Sequence, residues 1–136
     1  MAWVIDTCLL IDVAEEDPAF GAGSAALIDT HRPAGLMVCP VSYVELAPVF
    51  EGHPEAQDEF LYHLGVTWPE AWMVADTVAA HKAWYHHVTA RRAGQVRKRP
   101  VADVLIGAFA SRFDGLLTRN QSDFARLFPG LRTVGP

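Results

Sequence analysis

The stretch that decides the fold reads Ala2-Trp-Val-Ile-Asp6-Thr7, an apolar run that ends in an acid and a hydroxyl residue. A continuous apolar run of this length is typical of a parallel strand that is buried on both faces. Apolar residues at helical spacing follow over Leu9–Val13, with Thr7 available as an N-cap. The stretch therefore predicts a strand, a helix, and a carboxylate at the junction between them.

The same alternation continues along the chain. Further apolar runs predict strands at Leu36–Cys39, Val66–Trp68, Gly115–Thr118 and Leu131–Val134. Helical patterns cover Ala25–His31, the residues after Ser42, Glu55–Leu64, Ala71–Arg92, the residues after Val101, and Ser122–Phe128. Strands that alternate with helices predict an α/β fold with a central parallel sheet flanked by helices on both faces. A chain of 136 residues suits one domain, residues 1–136.

Two of these helices have more specific patterns. Ser42 and Glu45 match a capping box, which would place Ser42 at a helix N-terminus. In the long helix, five residues share one face and are expected to point inward, with His81 as a core histidine on the same stripe. The five residues are Ala71, Val74, Val78, Tyr85 and Val88.

The distribution of charge is more informative than its sum. The net charge is −5, but residues 1–90 hold 13 acids and two bases, and residues 91–136 hold nine bases and three acids. Five of those bases are Arg91, Arg92, Arg97, Lys98 and Arg99, directly before Asp103. This basic segment predicts contacts with a nucleic-acid phosphate backbone, although Arg91 and Arg92 could equally stabilise the C-terminus of a helix through its dipole.

Composition excludes several classes of protein. The longest segment without a charged residue is the 12-residue Pro33–Val44, too short for a membrane helix. An acid at Asp6 argues against a signal peptide, which predicts a cytoplasmic protein with no membrane contact. Cys8 and Cys39 form neither a disulfide framework nor a zinc motif.

Four acids are predicted to lie near the carboxyl edge of the sheet, where ligands of open parallel sheets bind. They are Asp6, Glu45, Asp103 and Asp123. Carboxylates that crowd together repel, so a shared divalent cation is their natural partner, and Mg²⁺ prefers such oxygen ligands. Taken singly, Glu45 could be a capping residue, and Asp103 and Asp123 could favour helix dipoles.

The motifs together resemble PIN-domain nucleases, and their order and the chain length resemble VapC-type toxins of toxin–antitoxin pairs. The resemblance runs from Val4 to Phe124. It is carried by Val4-Ile-Asp6-Thr7 with Leu10-Ile11, by Glu45, by Ala102-Asp103-Val-Leu-Ile-Gly-Ala108 and by Leu117-Thr118-Arg-Asn120-Gln-Ser-Asp123-Phe124.

The resemblance implies a metal-dependent endoribonuclease. The four acids would bind Mg²⁺, which Mn²⁺ could replace, and would be the catalytic residues. Thr7 and Thr118 would orient the carboxylates, and Asn120 would accompany them where some relatives carry another Asp. A metal-activated water would then hydrolyse RNA, leaving a 5′-phosphate and a 3′-hydroxyl. The implied partners are an RNA substrate, a cognate antitoxin and a second copy of the chain in a homodimer.

Two other kinds of α/β protein also carry an aspartate after the first strand, and this sequence fits neither. A haloacid-type phosphatase needs an Asp two residues after the first, where this chain has Cys8, and a receiver domain needs a late lysine, which residues 100–136 lack. The remaining alternative is a non-catalytic PIN-like module that binds RNA or protein without cutting. For the antitoxin, apolar residues between Ser42 and Leu64 suggest a docking surface formed by Val44, Phe50, Phe60 and Leu61.

Overall fold

The structure is a computed structural model that describes residues 2–67, 70–92 and 100–136, with the side chains of Thr67 and Arg92 left out. Its sheet has five strands in the order β3-β2-β1-β4-β5, and every neighbouring pair is parallel. The strands are β1 (Trp3–Ile5), β2 (Leu36–Met37), β3 (Val66–Thr67), β4 (Gly115–Leu117) and β5 (Thr133–Val134). The first strand of the chain is thus the central strand of the sheet.

Helices connect the strands. They are α1 (Thr7–Ala14), α2 (Gly21–His31), α3 (Pro40–Glu45), α4 (Pro54–Leu64), α5 (Val74–Arg92), α6 (Val101–Ala110) and α7 (Gln121–Leu127). Two short 3₁₀ turns cover Arg32–Ala34 and Ala47–Phe50. A parallel connection needs such a crossover, because the chain must return to the same end of the sheet before the next strand starts.

Alternate side chains of β1 enter two separate cores. Trp3 and Ile5 pack in a cluster with residues of α1, α2 and α4, whereas Val4 packs in a second cluster with residues of α6 and α7. This follows from the two-residue period of a strand. The predicted α/β fold with a parallel sheet covered on both faces is confirmed.

The main boundary error concerns α2, which begins at Gly21 rather than at Ala25. Glycines at positions 21 and 23 disfavour a helix before Ala25, but the Gly21 N–H donates to the Asp17 carbonyl at 2.8 Å. The Asp17 carboxylate also accepts the N–H groups of Ala19 and Phe20, both at 2.8 Å. These bonds satisfy the backbone where the helix starts.

The capping-box prediction for Ser42 and Glu45 is wrong. α3 begins at Pro40, with Cys39 as its N-cap residue, and Glu45 is its last residue. Proline suits the first helical position because its missing N–H would have had no partner there. Neither side chain therefore caps the helix. Both contact the Thr7 hydroxyl at the start of α1 instead.

The face of α5 that was expected to be buried is largely exposed. Val74 is 81% exposed and His81 is also exposed, so His81 is not a core histidine. The buried residues of α5 are Asp76, Ala80, Ala83 and His87. Asp76 accepts two bonds from the Arg112 guanidinium, at 2.6 and 2.9 Å. The buried face of α5 is therefore formed by this ion pair and by small alanines that pack against α6. Larger apolar side chains that are exposed, such as Val74, lie on its other faces.

Three of the four residues suggested for antitoxin docking pack against the core, and docking there stays a prediction. Leu61 is buried, and the Phe50 and Phe60 rings lie 5.2 Å apart and pack against the same cluster as β1. Of the four residues, Val44 is the exposed one. In addition, none of the helices that the described residues form is long and apolar enough to cross a membrane.

Gly115 lies at a tightly packed position in the sheet, where a side chain would not fit. A Cβ at this position would lie 2.6 Å from the Arg132 carbonyl oxygen and 2.7 Å from Trp3 Cζ3. Gly115→Ala should therefore lower the free energy of unfolding by about 1–3 kcal/mol through overpacking. Gly130→Ala is the matched control, because nothing lies within 4 Å of its Cβ position. Urea denaturation of both variants checks this, and equal stabilities would contradict the described packing.

Candidate active site

Asp6 lies at the carboxyl end of the central strand. Its N–H donates to the Leu117 carbonyl at 2.9 Å, which extends the pairing of β1 and β4 by one residue. It is also the N-cap residue of α1, so its side chain is fixed where strand and helix meet. The residue is only 3% exposed.

The side chains that donate hydrogen bonds to the Asp6 carboxylate are neutral groups. Thr118, directly after β4, donates its hydroxyl to Asp6 Oδ2 at 2.7 Å, and the Cys8 thiol lies 3.3 Å from the same oxygen. The Asn120 backbone N–H donates in turn to Thr118 Oγ1 at 2.9 Å, which fixes that hydroxyl. Within the described ranges of the chain, Asp6 forms no salt bridge.

A second carboxylate reaches the same edge from α3. The Thr7 hydroxyl lies 2.7 Å from Glu45 Oε1 and 2.8 Å from the buried Ser42 Oγ. A hydroxyl has one proton, so Thr7 donates to the carboxylate and accepts from Ser42. Ser42 is a residue that the sequence analysis assigned to a cap, and its actual role depends on a contact with a residue 35 positions away.

The surroundings of Asp6 disfavour the ionised form of its carboxyl group. Burial raises the pKa of the Asp6 carboxyl above its ordinary value, and the nearby negative charge of Glu45 raises it further. The hydrogen bonds from Thr118 and Cys8 oppose these effects without cancelling them. Burial and the Asp6 charge likewise raise the pKa of Cys8 to about 12, so its thiol stays protonated. Among the described residues, the site is thus rich in negative charge and poor in positive charge.

The other two predicted acids lie in first helical turns. Asp103 is half-buried in the first turn of α6, which packs against α3. Asp123 is in the first turn of α7, and its carboxylate lies 3.9 Å from an Arg126 nitrogen. Among the residues that the structure describes, no group of three or more His, Cys, Asp or Glu side chains is arranged to hold a metal ion. The charge of Glu45 acts on the carboxyl group of Asp6, so these two acids interact.

That pair fits a hard divalent cation. Carboxylate oxygens are its preferred ligands, and Mg²⁺ commonly binds proteins through only one or two carboxylates while keeping several waters. The hydroxyls of Thr7 and Thr118 already orient one oxygen of each carboxylate. Neighbours of this kind typically tune metal sites.

The basic segment is described only in part. Arg91 is exposed near the end of α5, and the side chain of Arg92 is outside the described part of the chain. Arg97, Lys98 and Arg99 also lie outside the described residues. The prediction that these five residues contact RNA stays a prediction.

An ion pair that the sequence did not predict lies on the loop that carries Thr118. Arg119 donates from Nε and from an Nη to the Asp12 carboxylate, at 2.8 and 3.0 Å, and Ser24 donates to that carboxylate at 2.9 Å. The bidentate pair ties the loop after β4, which carries Thr118, to helix α1. Asp12 and Arg119 are 107 positions apart, and no local pattern links them.

Comparison with protein-family models, curated proteins and solved structures finds no match for this chain. The resemblance to PIN-domain nucleases therefore depends on the residues quoted above and stays a prediction.

The raised pKa of Asp6 predicts how stability varies with pH. A raised pKa means that the folded state binds this proton more tightly than the unfolded state, whose pKa is near the ordinary 3.8. The corresponding stability is present below that pH and is lost as the pH rises through the folded-state pKa. Asp6→Asn should therefore be more stable than the wild type at neutral pH, by a margin that shrinks towards about pH 4.

Urea denaturation across this pH range measures the effect. Asp123→Asn is the control, because this carboxylate is much more exposed and should change stability little. A neutral-pH stability of Asp6→Asn at or below that of the wild type would contradict the electrostatic description.

Proposed function

We propose that the protein is a Mg²⁺-dependent endoribonuclease that acts in the cytoplasm as the toxin of a toxin–antitoxin pair. The observation that carries the proposal is the buried Asp6 carboxylate, which has neutral donors and a neighbouring acid but no cation among the described residues. Burying a carboxylate without a positive partner is costly. A bound divalent cation would remove that cost at the edge of the sheet where α/β proteins bind ligands.

Asp6 and Glu45 would hold the ion, and we propose that Asp103 and Asp123 complete the acidic set, as in the family that the sequence resembles. When bound, Mg²⁺ supplies a water of lowered pKa and neutralises phosphate charge during in-line displacement. Thr118 and Thr7 keep the carboxylate oxygens oriented. Asn120 contributes through its backbone N–H, which fixes the Thr118 hydroxyl.

The proposed partners follow from charge and from the resemblance. The basic residues from Arg91 to Arg99 would hold the RNA backbone, and this binding should weaken as salt concentration rises. A cognate antitoxin would restrain the activity, and the chain would form a homodimer.

A second candidate function is a non-catalytic module that binds RNA or protein. The observation that favours it is the lack, within the described residues, of an arranged group of three or more metal-ligating side chains. Calorimetric titration with Mn²⁺ distinguishes the two functions. Binding that Asp6→Asn abolishes supports the nuclease, whereas no binding at millimolar concentration supports the module.

Cleavage of RNA tests the nuclease directly. Asp6→Asn and Asp103→Asn should each lower the rate of Mg²⁺-dependent cleavage about 100-fold or more, and Thr118→Val by about 10- to 100-fold, since it removes a group that orients a ligand. The measurement is the initial rate on labelled RNA, with sequencing of the 5′-phosphorylated ends. Asp29→Asn is the matched control, because Asp29 is exposed on α2 and pairs with Arg32 at 3.5 Å on the protein surface. Undiminished cleavage by folded Asp6→Asn would contradict the proposal.

A further inference from the structure

A cavity lies at the loop that follows β4. It has a volume of about 420 Å³, and its lining includes Phe20, Gly23, Arg119, Gln121 and Gly135. This volume is within the usual range of about 300–1,000 Å³ for small-ligand sites. Arg119 directly follows Thr118, whose hydroxyl contacts Asp6, so the same loop contributes to the cavity and to the candidate site.

At this cavity the Arg119 guanidinium lies over the Phe20 ring, and this stacked pair forms a platform. The Arg119 guanidinium carbon lies 4.1 Å from the centre of the Phe20 ring. Asp12 holds the guanidinium in place through two bonds, and the Arg119 side chain remains 30% exposed. Phe20 is itself 45% exposed and belongs to none of the three hydrophobic core clusters of the described residues. Nucleobases stack on aromatic rings and on guanidinium planes of this kind.

The platform suits a neutral ligand better than a phosphate. Asp12 already neutralises the Arg119 charge and binds Nε and one Nη, two of the three guanidinium nitrogens. Because Phe20 covers one face of the guanidinium, the flat surfaces that remain are the outer faces of the stacked pair. A nucleobase, which is flat and uncharged, matches that surface.

Gln121 supplies polar atoms at the side of the cavity. Its Oε1 accepts from the Thr133 hydroxyl at 3.2 Å, which positions the amide. A Cβ at position 135 would lie 2.6 Å from Gln121 Nε2, so glycine at this position leaves room for the amide. A carboxamide carries two N–H donors and a carbonyl acceptor, which can hydrogen-bond to the edge of a base.

We propose that this cavity binds one nucleobase of the single-stranded RNA that the active site cuts. The base stacks on the Phe20–Arg119 platform, and Gln121 contacts its edge. The cavity thereby selects which phosphodiester bond reaches Asp6. This inference rests on the proposed function for the identity of the nucleic acid.

Fluorescence anisotropy tests the subsite without cleavage. The probes are a labelled random hexaribonucleotide and an abasic strand with the same number of phosphates, both in EDTA. The wild type should bind the base-bearing strand about tenfold more tightly than the abasic strand, since stacking is lost with the bases. Phe20→Ala and Gln121→Ala should each lose most of that difference and keep the affinity for the abasic strand. Tyr62→Ala, an exposed aromatic on α4, is the matched control and should behave as the wild type.

The outcomes separate this inference from the proposed function. Equal affinities of the wild type for the two strands, no binding of either, or unchanged discrimination in both cavity variants would overturn the subsite, even where Mg²⁺-dependent cleavage is present. Discrimination that Phe20→Ala and Gln121→Ala abolish would support the subsite even where no cleavage is found, in which case the nuclease proposal alone fails.

Discussion

The burial of one carboxylate at the end of the central strand is the constraint on which the candidate site depends. Asp6 cannot move away from the sheet, because its backbone continues the pairing of β1 with β4. Its side chain must therefore be satisfied where it is, and the described residues offer hydroxyl, thiol and backbone donors rather than a cation. Leaving the carboxylate without a positive partner costs free energy. A cation that binds there would relieve that cost and stabilise the folded protein.

The surrounding structure serves to hold that arrangement. Ser42 and Thr7 direct the Glu45 carboxylate toward the same edge, and the Asp12–Arg119 pair fixes the loop that carries Thr118. The same Arg119 forms one side of the neighbouring cavity. The loop after β4 thus contacts Asp6 through Thr118 and lines the proposed base subsite through Arg119, and such a shared loop would help to position a bound substrate.

Local patterns predicted the fold well because the apolar strands are short, continuous and buried on both faces. Patterns failed where polar contacts between distant residues decide the outcome. The buried Asp76–Arg112 pair turns the inner face of α5 away from its apolar stripe. Asp6 could be predicted from the end of β1, but its contact with Thr118 joins residues 112 positions apart. Such contacts exist only once the sheet has formed.

Anomalous diffraction from crystals of the protein soaked in Mn²⁺ tests most directly whether Asp6 binds a cation. We expect an anomalous peak about 2.1 Å from a carboxylate oxygen of Asp6, with Glu45 contributing directly or through water. In crystals of Asp6→Asn the peak should disappear. The absence of a peak beside Asp6 in the wild type at millimolar Mn²⁺, or its persistence in the variant, would contradict the central claim.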